Sequence, residues 1–82
     1  MNIRKNIAVS EEGFIFNPAT GDSFSTNAIG AKIVALMKQN QDTQAIALAI
    51  HQEYDVDLLL LERDIDEFIA TLKDHNLIEN GN

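Results

Sequence analysis

The sequence contains no cysteine and no tryptophan, a single proline, and only six Lys and Arg against thirteen acids. Without cysteine there are no disulfides and no thiolate metal sites, which fits a reducing cytosol. With one Tyr and four Phe as its only aromatics, the core has to be built from Ile, Leu, Val and Ala. Long apolar runs are also missing. Ala45–Ile50 and Leu58–Leu61 are the longest, far below the roughly 20 residues a membrane span needs. Arg4 and Lys5 are followed by no apolar segment, so the N-terminus does not read as a secretion signal. A soluble, cytoplasmic chain with no membrane partner is expected.

The shortage of bases gives a net charge of −7. Between Glu53 and Glu67 stand seven acids (Glu53, Asp55, Asp57, Glu62, Asp64, Asp66 and Glu67) and one base, Arg63. Such a run is ordinarily a solvated face. Its potential repels phosphates, and nucleic-acid affinity rests largely on neutralising them. The balance therefore argues against nucleic acid. It favours partners that carry Lys or Arg, with salt-sensitive association.

A length of 82 residues without a composition break suggests one domain spanning 1–82. A chain this short buries only about 60–65% of its unfolded surface. The first 26 residues read as strands. Ile3, Ile7 and Val9 give Ile3–Ser10 a period near two. Glu11-Glu12-Gly13 is a turn, and Phe14-Ile15-Phe16 is a short strand of β-formers. Asn17-Pro18-Ala19-Thr20-Gly21-Asp22 is the strongest turn signal, with Pro18 presetting φ and Gly21 supplying freedom. Ser23–Thr26 follows as a third strand. Two tight connections in succession predict an antiparallel meander whose third strand is an edge.

From Asn27, a credible N-cap, the period becomes helical. Ile29, Ile33, Leu36 and Met37 form one stripe. Gly30 within it costs roughly 1 kcal/mol against Ala, which suggests the close approach of another backbone. Asn40-Gln41-Asp42 ends this helix and Thr43 can cap the next, about Gln44–Tyr54, with Ile46, Ile50 and Tyr54 spaced by four. Asp57 can cap a third helix, about Leu58–His75, in which Leu61, Ile65, Phe68, Ile69 and Leu72 share one face. Leu77-Ile78 is expected to pin the C-terminus to the core, and Glu79–Asn82 to fray. Strands followed by helices indicate an α+β fold. The layout is winged-helix-like: an N-terminal three-stranded antiparallel sheet, then three helices.

Residues with chemistry are scattered. Ser10, Ser23 and Ser25 lie among the strands, while His51 and His75 lie on helices. Nothing pairs a nucleophile with a base, and no serine sits in a G-x-S-x-G elbow. His51, Glu53 and Asp55 do not share a helix face, as metal ligands would have to. His51 reads as a surface residue and His75 as a helix C-terminal cation. Asp64, Asp66 and Glu67 would need a pocket able to raise one carboxyl's pKa, and so short a chain has little interior to provide it. Asp55-Val56-Asp57 lacks the rest of a calcium loop, and Gly13, Gly21 and Gly30 make no phosphate cradle. No catalytic residue, metal or cofactor is assigned.

Recognition is what remains. An edge strand carries unpaired N–H and C=O groups and has to be covered, blunted or used. A peptide could add beside Ser23–Thr26 as a fourth strand. If the third helix lies alongside, a groove forms between them. The candidate binding residues are Ser23, Phe24, Ser25 and Thr26 on the strand, and Asp64, Phe68 and Thr71 on the helix. Phe24 and Phe68 could equally be plain core.

These segments, in this order, resemble the PqqD-like proteins, peptide chaperones also called RiPP recognition elements. The resemblance runs from about Ile7 to Ile78. It is carried by Phe14-Ile15-Phe16-Asn17-Pro18-Ala19-Thr20-Gly21-Asp22-Ser23-Phe24, by Asn27 and Gly30 with Ile33 and Leu36, and by Glu53-Tyr54-Asp55-Val56-Asp57. Asp64-Ile65, Phe68-Ile69, Leu72 and Leu77-Ile78 complete it. Many members have Trp where Val34 stands, Thr where Ile29 stands, and a Gly-containing turn where Asn40-Gln41-Asp42 stands. These departures count against the pyrroloquinoline quinone pathway in particular. The resemblance implies a non-catalytic protein that binds a precursor leader peptide as a strand on strand three, against helix three. It also implies a partner enzyme, often a radical-SAM protein, that modifies the peptide. Two other readings stay open: a small interaction or regulatory subunit, and a DNA-binding winged-helix transcription factor. The five acids of Leu58–His75, against Arg63 and Lys73, weigh against the last.

Overall fold

In the computed structural model of the chain, which describes residues 2–79, the turn over Asn17–Asp22 organises the N-terminal sheet. The buried Asn17 accepts the Ala19 N–H on its side-chain oxygen at 3.0 Å, and its carbonyl accepts the Gly21 N–H at 2.8 Å. Gly21 takes φ +78°, a conformation that favours glycine. The turn joins β3 (Phe14–Asn17) to β4 (Asp22–Ser25), paired as Phe14 with Ser25, Ile15 with Phe24 and Phe16 with Ser23. β2 (Ala8–Val9) pairs on the other side of β3, so the order is β2-β3-β4 and β4 is an edge. The expected meander is therefore present. Its third strand lies one residue earlier than Ser23–Thr26, although the Thr26 N–H still bonds the Gly13 carbonyl at 2.7 Å.

Ile3–Ser10 is not one strand. β1 (Asn2–Ile3) is separated from β2 by a turn in which the Ile7 N–H bonds the Arg4 carbonyl at 3.1 Å. β1 leaves the meander and pairs with β5 (Ile78–Glu79) in a separate two-stranded sheet. Ile3 and Ile7 are both buried, so their even spacing reflects one core reached from β1 and from the turn before β2. The pairing of Asn2 with Glu79 also corrects the expected fraying at Glu79; the rest of that expectation, residues 80–82, lies outside the described residues. Arg4 fastens the same corner through the carbonyl and side-chain oxygen of Asn76, each at 2.9 Å. Leu77 and Ile78 are buried in the core, as expected.

Three helices follow. α1 (Ala28–Lys38) is capped by Asn27, whose side-chain oxygen accepts the Gly30 N–H at 2.8 Å. α2 (Thr43–Glu53) is capped by Asp42 rather than Thr43, through the Ala45 N–H at 2.8 Å. The carboxylate is the stronger acceptor at a helix N-terminus, and it displaces Thr43 into the first turn. α3 (Leu58–Asp74) is capped by Asp57 through the Leu60 N–H at 3.1 Å. α1 and α3 close with Asn40 and Asn76 at positive φ, where the N–H groups of Gln41 and Leu77 reach back to the carbonyls of Leu36 and Leu72.

The buried stripes are those expected: Ile33 and Met37 on α1, Ile46 and Ile50 on α2, and Leu61, Ile65, Ile69 and Leu72 on α3. They meet Ile3, Ile7, Ile15, Leu77 and Ile78 in one aliphatic core. Full burial of each such side chain contributes about 1.5–3 kcal/mol. Phe24 and Phe68 pack on the rim of this core, half-buried. The close approach at Gly30 is made by the Thr26 side chain, not by a backbone.

Candidate peptide-binding site

β4 has no strand on its far side among the described residues. Residues of an antiparallel strand bond alternately to the two neighbours. Thr26 bonds toward β3, so Phe24, two residues before it, does the same. Ser23 and Ser25 accordingly direct their N–H and C=O groups to the open edge. Their side chains are exposed on the outer face of the sheet, whereas Phe24 points inward.

Beside the end of this edge lies a groove of about 380 Å³. Its apolar surface is supplied by Ile29 and Ile33 of α1, Val56 before α3, and Leu61 and Phe68 of α3. Thr26, Asn27, Asp64, Glu67 and Thr71 add its polar surface. Gly30, which has no Cβ, also lines the groove. A side chain there would strike Thr26, which bridges β4 to α1. At the other connection, His51 Nδ1 lies 2.7 Å from the Val56 carbonyl. A carbonyl only accepts, so Nδ1 carries the hydrogen. This bond holds Val56 in the groove wall; His51 is otherwise an exposed surface residue, as expected.

Of the seven residues singled out in the sequence, Thr26, Asp64, Phe68 and Thr71 line the groove together. Ser23 and Ser25 lie on the adjoining edge. Phe24 is not part of the groove wall. It stacks on His75, with ring centroids 4.7 Å apart, and ties β4 to the end of α3. Sequence reasoning missed Ile29, Val56 and Glu67 as groove residues. Ile29 and Val56 had a signal, each being an apolar residue at the margin of a buried stripe. Glu67 follows from α3 itself, since positions three and four apart share a face and Glu67 sits between Asp64 and Thr71.

A second recess of about 400 Å³ lies across α1, lined in part by Val9, Tyr54 and the ion pair of Lys32 with Glu53. The strand beside it, β2, has two residues against the four of β4, so it offers a peptide a shorter ladder. Among the described residues no three His, Cys, Asp or Glu side chains cluster as metal ligands. No helix there is long and apolar enough to cross a membrane. The acidic groove wall of Asp64 and Glu67 repels phosphate, which weighs against a nucleic-acid reading.

A small α+β domain of winged-helix-like layout, with an open sheet edge feeding an apolar groove, is the class that fold and site define. The chain belongs to the PqqD family, described as coenzyme PQQ synthesis protein D, whose pattern matches residues 12–78. Two solved structures are similar to it. One is TbiB1 in complex with the TbiA(beta) leader peptide: 28% identity, 100% of this chain and 99% of that chain covered, and a TM-score of 0.86. The other is lasso peptide synthetase B1 complexed with the leader peptide: 25% identity, 90% and 91% covered, and a TM-score of 0.77. No curated protein matches the chain.

Proposed function

We propose that the protein is a cytoplasmic RiPP recognition element, a single non-catalytic domain spanning 1–82. It binds the leader segment of a precursor peptide and presents that peptide to a modifying enzyme, such as a radical-SAM protein. The leader adds as a strand to the open edge of β4 and continues into the groove along α3. Ser23 and Ser25 supply the main-chain ladder, with Phe24 and Thr26 holding the strand in place. Phe68 offers an apolar seat, and Asp64 and Thr71 offer polar contacts. The protein brings no cofactor of its own. The observation that carries this reading is the continuity of the far side of β4, open among the described residues, with an apolar groove. The two similar structures, both holding leader peptides, support it.

The test begins by selecting ligands from an mRNA-displayed library of randomised linear peptides. The best binder is then titrated into 15N-labelled protein. Amide shifts are expected along Ser23–Thr26 and on the α3 flank of Asp64, Phe68 and Thr71. Saturation without perturbation of those amides would sink the reading.

A further inference from the structure

β3 exposes two large apolar side chains on the outer face of the sheet, Phe14 at 60% and Phe16 at 43% exposure. Neither contributes to the core cluster, and neither lines the groove. The register places Ser25 directly opposite Phe14 and Ser23 directly opposite Phe16. On the other side of β3, Phe16 faces only Ala8. The outer face is therefore a pair of phenylalanines bordered by small side chains, with the open edge one strand away.

Ser23 and Ser25 are the residues whose main-chain groups face that edge. A peptide strand paired to them would set the residues opposite Ser23 and Ser25 on the same outer face. Neighbouring strands lie about 4.8 Å apart, so those peptide residues would stand roughly 10 Å from β3. Serine fills little of that span. A Leu, Met or aromatic side chain from the peptide can lie over each serine and meet the ring behind it, since large side chains interact across a sheet beyond their immediate partners.

We propose that Phe14 and Phe16 form a second specificity surface, which reads the outward-facing side chains of the same peptide strand. This rests on the peptide-binding reading above and extends it: the ligand class is a segment with bulky apolar residues at alternate positions on its solvent side, in addition to those that enter the groove. A strand paired to β4 lies next to this face, because only Ser23 and Ser25 separate the phenylalanines from the edge.

The test uses the same displayed library on the natural chain and on Phe14→Thr/Phe16→Thr. Threonine keeps β-propensity at both positions, and circular dichroism with a thermal melt reports whether the fold is retained. The single variant Phe14→Thr serves if the double variant unfolds. Peptides selected on the natural chain are expected to carry bulky apolar residues in both alternating sets. Their affinity for the variant should fall roughly tenfold, and selection on the variant should lose one set while keeping the other. The proposal is overturned if one set stays random on the natural chain. It is overturned equally if the variant binds the selected peptides as tightly as the natural chain does, which would assign the phenylalanines to a docking protein. If no peptide is enriched on the natural chain at all, the peptide-binding reading itself fails.

Discussion

Phe24 stacks on His75 with ring centroids 4.7 Å apart and planes inclined by 22°. The contact joins the inward side of the edge strand to the residue that caps α3. It therefore sets the spacing between the two elements that flank the groove. An offset aromatic pair contributes about 0.5–1.5 kcal/mol beyond its buried area. His75→Ala is expected to lower stability by about 1 kcal/mol, and Phe24→Ala by roughly 2 kcal/mol because half-buried aromatic surface is lost as well. Urea denaturation measures both. Peptide affinity should fall in both variants, since the edge loses its anchor. An unchanged affinity in a destabilised Phe24→Ala protein would show that the stack does not position β4.

Gly30 tests how β4 is held to α1. In an ordinary helix Gly→Ala stabilises by about 1 kcal/mol. Here the added methyl would collide with the Thr26 side chain, so Gly30→Ala is expected to destabilise instead. Thr26→Ala removes most of the obstructing atoms, and the double variant should recover part of the loss. A double-mutant cycle in urea gives the coupling between the two sites. Additive effects would disprove the contact.

The helical half of the fold is legible in the sequence because its signals are local and repeated. Leu61, Ile65, Ile69 and Leu72 describe a buried face without reference to anything else in the chain, and Asn27 and Asp57 are caps that act on the next three residues. The N-terminal strands are less legible. Ile3, Ile7 and Val9 fit a strand by period, yet the pairing of Asn2 with Glu79 is a contact between the two ends of the described chain. No local pattern encodes it. For the site, the edge and one flank of α3 were accessible from strand order and helix spacing. The role of Phe24 was not, because its partner His75 lies about fifty positions away and either residue alone looks unremarkable. Val56 was visible as an apolar residue beside α3, but its place in the groove wall was not, since that depends on the bond from His51.

Asn40 provides a stability control remote from the site. It adopts φ +63° at the end of α1, where a residue with a Cβ pays about 1 kcal/mol relative to glycine. Asn40→Gly should raise the denaturation midpoint and Asn40→Ala should lower it, both without effect on peptide binding. A lower midpoint for Asn40→Gly would mean that the Asn side chain makes a stabilising contact that outweighs its backbone strain.

Asp64 and Glu67 give the groove a negative wall in a chain of net charge −7. For a ligand carrying Lys or Arg, such exposed charges act mainly on the encounter rate. Asp64→Asn/Glu67→Gln is expected to slow association several-fold at low salt and to flatten its salt dependence, with dissociation little changed. Stopped-flow fluorescence with a labelled basic peptide selected from the library measures both rates. A change confined to dissociation would indicate direct, desolvated contacts instead.

The main-chain ladder can be tested by proline. Ser25 directs its N–H to the open edge, whereas the N–H of Phe24 belongs to the pairing with β3. Proline removes an N–H and is tolerated in a strand only where that group is not used within the sheet. Ser25→Pro should therefore lower stability by no more than about 1 kcal/mol, while Phe24→Pro should cost about 3 kcal/mol or unfold the strand. If the ligand pairs with β4, Ser25→Pro also deletes one of its hydrogen bonds and places a ring in its path. Affinity for a selected peptide, measured by calorimetry, should drop by about tenfold or more. A Ser25→Pro protein that stays folded and binds with unaltered affinity would exclude strand addition at this edge, and with it the path proposed for the peptide.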